Sequence, residues 1–255
     1  MPKFALPVSP PSRHSPGLIR TGGFSLVELA IVLIIVALLL SSLLSPLSAQ
    51  IDQRNYNETQ QQLSGITEAL IGFAVANGRL PRPATSATNG AENPVNCGSD
   101  ALCTGFIPWS TLGVKKTDAW NKIIQYSVSP AYANNLFALN TIGSKKVLTR
   151  DGAGNATYLI GSAGACSVAS PCAPAVIYSA GKNNWGVAED GTALQDESAT
   201  NADEDVNANP YASPSPVFFS RNRYNVPVGG EFDDIVVWIP PYLLFNRMVS
   251  AGKLP

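Results

Sequence analysis

The sequence predicts an α+β fold, with one long N-terminal helix packed on an antiparallel β-sheet. Three observations lead there. An apolar stretch from Phe24 to Leu44 is followed, over residues 47–78, by apolar positions at close to 3.6-residue spacing, giving a helix with a membrane half and an amphipathic half. Beyond Pro81 and Pro83 that spacing stops, and short β-branched or aromatic runs appear at 123–128, 136–142, 157–160, 176–179 and 235–239, each bounded by Gly, Pro, Asn or Asp. The helix comes first and the strands follow, which is the order of an α+β domain rather than of alternating βαβ units.

Residues 1–23 read as a leader. They hold five prolines and three serines, show no helical periodicity, and read as extended and disposable. Their charges are Lys3, Arg13 and Arg20 with no acid, and that positive bias keeps them on the cytoplasmic side of a membrane. Residues 24–46 form the membrane segment. The 21 residues from Phe24 to Leu44, at about 1.5 Å each, span a hydrocarbon core. One carboxylate, Glu28, sits inside it; a charge in lipid is costly, which marks the residue as functional. A secretory signal has a shorter apolar region, about 7–15 residues, with a small-residue cut site after it. Here the run is longer and Gly22-Gly23 precedes it. An ordinary single-pass anchor explains the run but not Glu28, four residues after the Gly23–Phe24 junction.

Pro46 is expected to kink the helix, since a proline there removes one hydrogen bond. In 47–78, Ile51, Leu63, Ile66, Leu70 and Phe73 fall on one face, and Glu58, Gln60, Gln61 and Glu68 on the other. Asn77-Gly78 is the stop. Residues 79–255 follow as one β-rich globular head across the membrane, in the periplasm, closed by a short helix over 242–250 after Pro240-Pro241. No linker, fixed-period repeat or sustained heptad divides it.

Charge and histidine usage exclude function classes. The chain has 17 basic and 18 acidic residues; without the leader's three basic residues the balance is 14 against 18, near −4. No Lys/Arg cluster is present, which argues against nucleic acid as a main partner. The single histidine is His14, in the leader, so the remaining chain has no Ser-His-Asp or Cys-His arrangement and no histidine metal ligand. A membrane-anchored enzyme is thereby disfavoured. Paired carboxylates remain as acid–base candidates in 189–205, a stretch with Asp190, Asp196, Glu197, Asp203, Glu204 and Asp205 that is otherwise mostly Ala, Thr, Asn and Ser and reads as a solvated loop.

The four cysteines fall beyond the membrane segment, in an oxidising compartment. Four cysteines allow three connectivities. The local pairs Cys97–Cys103 and Cys166–Cys172 are favoured, because each encloses five residues of a Gly/Ser/Pro/Ala-rich loop that needs a staple. Zinc is the competing reading, opposed by C-x₅-C spacing and the lack of a nearby histidine.

The order Gly23-Phe24-Ser25-Leu26-Val27-Glu28 ahead of a long apolar helix resembles the class III signal of type IV pilins and type II secretion pseudopilins. The resemblance implies a pilin-like fold, cleavage after Gly23 by a prepilin peptidase, N-methylation of Phe24, and a bend at Pro46. It also implies that Glu28, fifth in the cleaved chain, pairs with the Phe24 amine of a neighbouring subunit and sets the axial register of a filament. Asp118-Ala119-Trp120-Asn121 with Tyr126 is similar to a turn of the major pseudopilins, with Asn121 where they have glycine; asparagine also tolerates positive φ. That stretch reads as a turn and an aromatic anchor rather than a binding site. The stretches Tyr178 to Gly186 and Phe232 to Trp238 resemble strand endings of pilin-like proteins more loosely. Major pseudopilins carry calcium in a C-terminal loop, which makes Asp190, Asp196, Asp203 and Asp205 a candidate Ca²⁺ set by position, against a plain acidic surface loop.

The expected function is mechanical: an inner-membrane subunit, not an enzyme, whose partners are a prepilin peptidase and other pilin or pseudopilin subunits. The head is larger than a minimal major pseudopilin requires, which favours a minor pilin or pseudopilin. A pilus-tip adhesin and a membrane-anchored periplasmic enzyme are the alternatives.

Overall fold

The computed structural model describes residues 23–196, 198–209, 216–222 and 228–254, without the side chains of 41–46. The leader up to Gly22, and Glu197, lie outside the described residues, as do the side chains around the bend expected at Pro46. The chain divides into two compact units, Met1–Gln50 and Ile51–Pro255.

In the first unit, helix α1 (Leu26–Asn77) begins. Every large apolar side chain from Phe24 to Leu40 is more than 40% exposed, with Val36 lowest at 43%. Among the described residues no helix is long and apolar enough to cross a membrane; the stretch expected to do so runs through 41–46.

The second unit is mixed α+β. It contains the end of α1, then β1 (Thr104–Phe106), α2 (Trp109–Leu112), β2 (Gln125–Val128), α3 (Pro130–Ala133), β3 (Lys146–Arg150) and β4 (Ala156–Ile160). There follow β5 (Ala175–Ser179), β6 (Gly186–Val187), β7 (Ala193–Leu194), α4 (Ala202–Ala208), β8 (Val217–Phe219), β9 (Ile235–Trp238) and α5 (Pro241–Ser250). An antiparallel sheet has the order β1-β2-β5-β9, a second sheet the order β4-β3-β8, and β6-β7 form a hairpin.

Side chains on a strand alternate faces, and here each face of the first sheet has its own core. Tyr126, Val128, Ala175, Ile177 and Ile235 face Leu63, Ile66, Leu70, Ile71 and Ala74 of α1 and Leu244 and Met248 of α5. Val176, Tyr178 and Val236 face the second sheet through Val147 and Phe218. Covered on both sides, β5 is buried at every residue, the condition under which a strand reads as a continuous apolar run. Of the face predicted on α1, Leu63, Ile66 and Leu70 are buried and Phe73 half-buried, while Ile51 is exposed.

The structure corrects three expectations. No strand forms over 136–142: Phe137 inserts between Tyr132 and Phe245, while Leu136 is 78% exposed. The run is apolar without a buried period-2 face; Phe137 N donates to Gly78 O at 3.2 Å and Thr141 O accepts from the Tyr132 hydroxyl at 2.7 Å. The strands are not all antiparallel, since β3 and β8 pair in parallel. The stretch 189–205 is not wholly a solvated loop, because it contributes β7 and the start of α4, where Asp203 and Glu204 are buried.

Two disulfides, Cys97–Cys103 and Cys166–Cys172, close local loops with Cα separations of 5.1 and 5.6 Å, and no cysteine is left free for zinc. Lys145 ties the two loops together. Its ammonium, fully buried, lies 2.6 Å from Asp100 Oδ1 in the first loop, and its backbone pairs with Ala173 beside the second. Burial lowers the Lys145 pKa to about 8, against the pull of Asp100. The folded state therefore binds this proton less tightly than the unfolded chain, so the penalty is present in full below about 8 and is relieved as pH rises toward the ordinary lysine value. Denaturant unfolding at pH 7.5, 8.5 and 9.5 (roughly spanning that window) should show wild type gaining stability relative to Lys145→Met. Parallel curves for the two proteins would rule out the shift.

Candidate functional site

At the start of α1, Ser25 and Glu28 close on each other. Ser25 N donates to Glu28 Oε2 at 2.8 Å, and Glu28 N donates to Ser25 Oγ at 3.2 Å. Leu29 N donates to Ser25 O at 3.1 Å, which makes Ser25 the cap residue. This is a capping box, Ser-x-x-Glu, in which two amide groups at the helix start are satisfied reciprocally. Gly23 and Phe24 precede the helix, are exposed, and Gly23 has open space around its Cα.

The second unit holds a buried polar hub. It begins at the Asp118 turn. Asp118 Oδ1 accepts from Trp120 N at 2.8 Å and Lys122 N at 2.9 Å, and Oδ2 accepts from Ser179 Oγ at 2.6 Å. Asn121 has φ 63°, the left-handed conformation a turn needs and asparagine tolerates. Tyr126 is buried and donates from its hydroxyl to Pro81 O at 3.1 Å, so this stretch anchors the sheet.

That turn delivers Lys122 into the protein. Its ammonium donates to backbone carbonyls of one turn, Asn183 O at 2.6 Å, Trp185 O at 2.8 Å and Ala180 O at 2.9 Å, with Asn184 O at 3.4 Å. Gly181, φ 55°, lets this turn form, and a Cβ there would strike the Asp233 carboxylate. Burial lowers the Lys122 pKa, while Asp233, Asp118, Asp234 and Glu204 oppose that shift.

Facing Lys122 are Glu204 of α4 and Asp233 and Asp234 just before β9. One carboxylate oxygen from each lies within 4.8 Å of the others. Glu204 Oε2 accepts from Asn184 Nδ2 at 2.9 Å and Asn201 Nδ2 at 3.1 Å, and Oε1 from Asp233 N at 2.5 Å. Asp233 Oδ2 accepts from the backbone of Asn183 at 2.9 Å and Lys182 at 3.1 Å. Asp234 Oδ2 accepts from Asn207 Nδ2 at 2.8 Å, and Asn207 Oδ1 in turn accepts from Phe219 N of β8 at 2.7 Å. Burial, and then the Glu204 charge, push Asp233 up to about 7 and Asp234 well above the carboxylate range.

The four loop carboxylates are not gathered. Asp190 is exposed in the β6–β7 hairpin and accepts from Thr192 N at 2.8 Å. Asp196 and Asp205 are exposed and hydrogen-bond each other; burial, then this contact, raises the Asp205 pKa. Asp203 is buried and committed to two guanidinium groups, Arg150 at 2.6 and 2.8 Å and Arg221 at 2.8 Å. Glu204, Asp233 and Asp234 are the cluster spacing alone did not find. Two adjacent acids directly ahead of Ile-Val-Val-Trp were the available signal, because an acid pair abutting a buried strand requires partners.

No protein family, curated protein or solved structure matches the chain.

Proposed function

We propose that this chain is a pilin-like subunit, cut after Gly23 by a prepilin peptidase, N-methylated at Phe24 and held in the inner membrane by residues 24–46. Its second unit stands in the periplasm, and it assembles with other pilin or pseudopilin subunits into a type IV pilus or type II secretion pseudopilus. One observation carries this reading: Gly23-Phe24-Ser25-Leu26-Val27-Glu28 leads directly into a helix whose large apolar side chains are exposed on every side. A helix apolar all round is stable only in lipid or among other apolar helices, and a filament core supplies the second setting.

The capping box adds support. It starts the helix at Leu26, leaving the Gly23–Phe24 bond in exposed, non-helical chain where a peptidase can take it. Co-expression with a prepilin peptidase should shorten the chain by the 23 residues of the leader, read by intact mass. Gly23→Val should block cutting without disturbing the subunit, because nothing lies within 4 Å of a Cβ built there. A wild-type chain of unchanged mass would end this reading.

A further inference from the structure

We propose that the free edge of β9 is a strand-addition site, where an extended segment of a partner protein, uncharged in its middle and basic at one end, pairs with Val236 and Trp238. The site does not depend on the pilin reading.

Hydrogen bonding is the first support. Strand β9 ends the sheet order β1-β2-β5-β9, and among the described residues β5 is its one neighbour. Opposed residues of an antiparallel pair alternate between bonded and unbonded. Ile239 N donates to Ala175 O at 3.0 Å, and from there the register makes Val237 with Ile177, and Ile235 with Ser179, the bonded pairs. Val236 and Trp238 therefore turn their N–H and C=O groups away from β5. The Ser220 hydroxyl donates to Val236 O at 3.3 Å; among the described residues Val236 N, Trp238 N and Trp238 O meet no partner. Val236 is 7% exposed, and backbone groups of so buried a residue are nearly always paired.

Other strand edges are covered. At the far side of the same sheet Ala84 exchanges two backbone bonds with Phe106 of β1, and in the second sheet Asn207 takes both Phe219 N and Phe219 O of β8. Strand β9 has no such cover. Its Ile-Val-Val-Trp run carries no charge, proline or register shift, the devices that keep an edge from pairing.

Shape is the second support. The β9 edge is the floor of a groove of about 530 Å³, walled on one side by Tyr56 and Gln60 of α1 and on the other by Thr149 of β3 and Leu159 of β4. The middle layer thus stops one strand short of the layers on either side. A strand laid in this slot continues the sheet, and its side chains alternate between the two walls. A second copy's β9 does not fit, because the same walls overhang it in both copies.

Charge fixes the composition. Arg150 and Arg221, on the second-sheet wall, are committed to Asp203 and to the Gly154 and Gly230 carbonyls. Asp234 also lines the groove, and its burial favours the neutral acid. Asp151 stands exposed at the rim, its carboxylate held below the ordinary range by Asn155 of its own turn. The slot therefore takes an uncharged stretch, and Asp151 favours a lysine or arginine where the segment leaves it.

The test uses the full-length chain in detergent, dilute enough to be monomeric, and a fluorescent peptide of alternating valine and threonine ending in lysine. The expected result is saturable binding, with amide exchange slowed at Val236 and Trp238. N-methylating alternate peptide amides removes the bonds and keeps the side chains, and should weaken binding at least tenfold. Leu159→Arg should block binding by filling the slot from an exposed position. Asp151→Asn should weaken the lysine peptide but not one ending in glutamine. Exchange in the wild type decides the matter if a variant fails to fold. No binding at millimolar peptide, or equal binding of the methylated peptide, would overturn the proposal. Slowing at Ala156 and Tyr158 instead would overturn it in favour of the edge of β4. Slow exchange at Val236 and Trp238 before peptide is added would mean that the chain closes its own edge. Slowing with protein concentration alone would give the edge to a second copy, and either result would overturn the proposal.

Discussion

Lys122→Met should destabilise the protein by about 3–5 kcal/mol, the usual loss when one partner of a buried ionic network is removed. Methionine keeps most of the stem and fills the same space, so the loss isolates the ammonium. Without it, the Ala180, Asn183 and Trp185 carbonyls lose their donor, and Asp118, Asp233, Asp234 and Glu204 lose the cation that opposes their mutual repulsion. Against a total stability of roughly 5–15 kcal/mol, such a loss removes a large share. A matched control is Lys182→Met, whose ammonium meets Asp52 at 2.8 Å but is 43% exposed. Surface pairs of that kind are worth about 1 kcal/mol or less. Denaturant unfolding of the full chain gives both numbers. Equal losses for the two variants would mean that the hub does not depend on Lys122.

The same residue shows why part of the molecule was not legible. In sequence Lys122 sits between Asn121 and Ile123, with nothing beside it to mark a buried cation. Its burial follows from the Gly181–Trp185 turn, some sixty residues on, which folds its carbonyls around the ammonium. Local periodicity carries no trace of such a contact. What was legible were the elements whose signal is local. The buried face of α1 at Leu63, Ile66 and Leu70 follows 3.6-residue spacing, and β4, β5, β9 and α5 fall where β-branched runs and Pro240-Pro241 place them. The turn at Asn121 and the two disulfide loops follow from residue chemistry over fewer than ten positions.

In the second sheet β3 and β8 escaped for the opposite reason. Strand β3 opens with Lys146, preceded by Lys145, and both are buried, so its polarity contradicts its position. Lys145 is buried because Asp100, inside the first disulfide loop, meets it. Strand β8 has three residues, too few for a period, and pairs in parallel with β3. A strand of that length exists because Asn207 extends its hydrogen bonding with both ends of one amide, to Phe219 N and Phe219 O. Polar residues supply here what hydrophobic pattern supplies in the first sheet, and polar partners are set by tertiary structure.

If subunits assemble as proposed, Glu28→Ala should abolish incorporation into filaments while leaving membrane insertion intact. Two effects are mixed in that variant, and the capping box makes them separable. Glu28 closes the helix start with Ser25, so alanine removes a cap, a loss of about 0.5–2 kcal/mol confined to the first turn. Alanine also removes the charge that would meet a neighbour's Phe24 amine, and an ammonium buried in an apolar core without its anion loses several kcal/mol per contact. Glutamine separates them, because a Ser-x-x-Gln box caps as Ser-x-x-Glu does. Glu28→Gln should therefore keep the helix start and still fail to enter filaments, and Ser25→Ala should weaken the start yet still enter them. The readout is crosslinking to neighbouring subunits in cells with the complete assembly machinery, with membrane fractionation as the control. Normal crosslinks for Glu28→Gln together with lost crosslinks for Ser25→Ala would make Glu28 a helix cap and nothing more. The opposite pattern would assign the carboxylate's charge to the subunit contact, since neither the fold nor the helix start distinguishes glutamate from glutamine at this position.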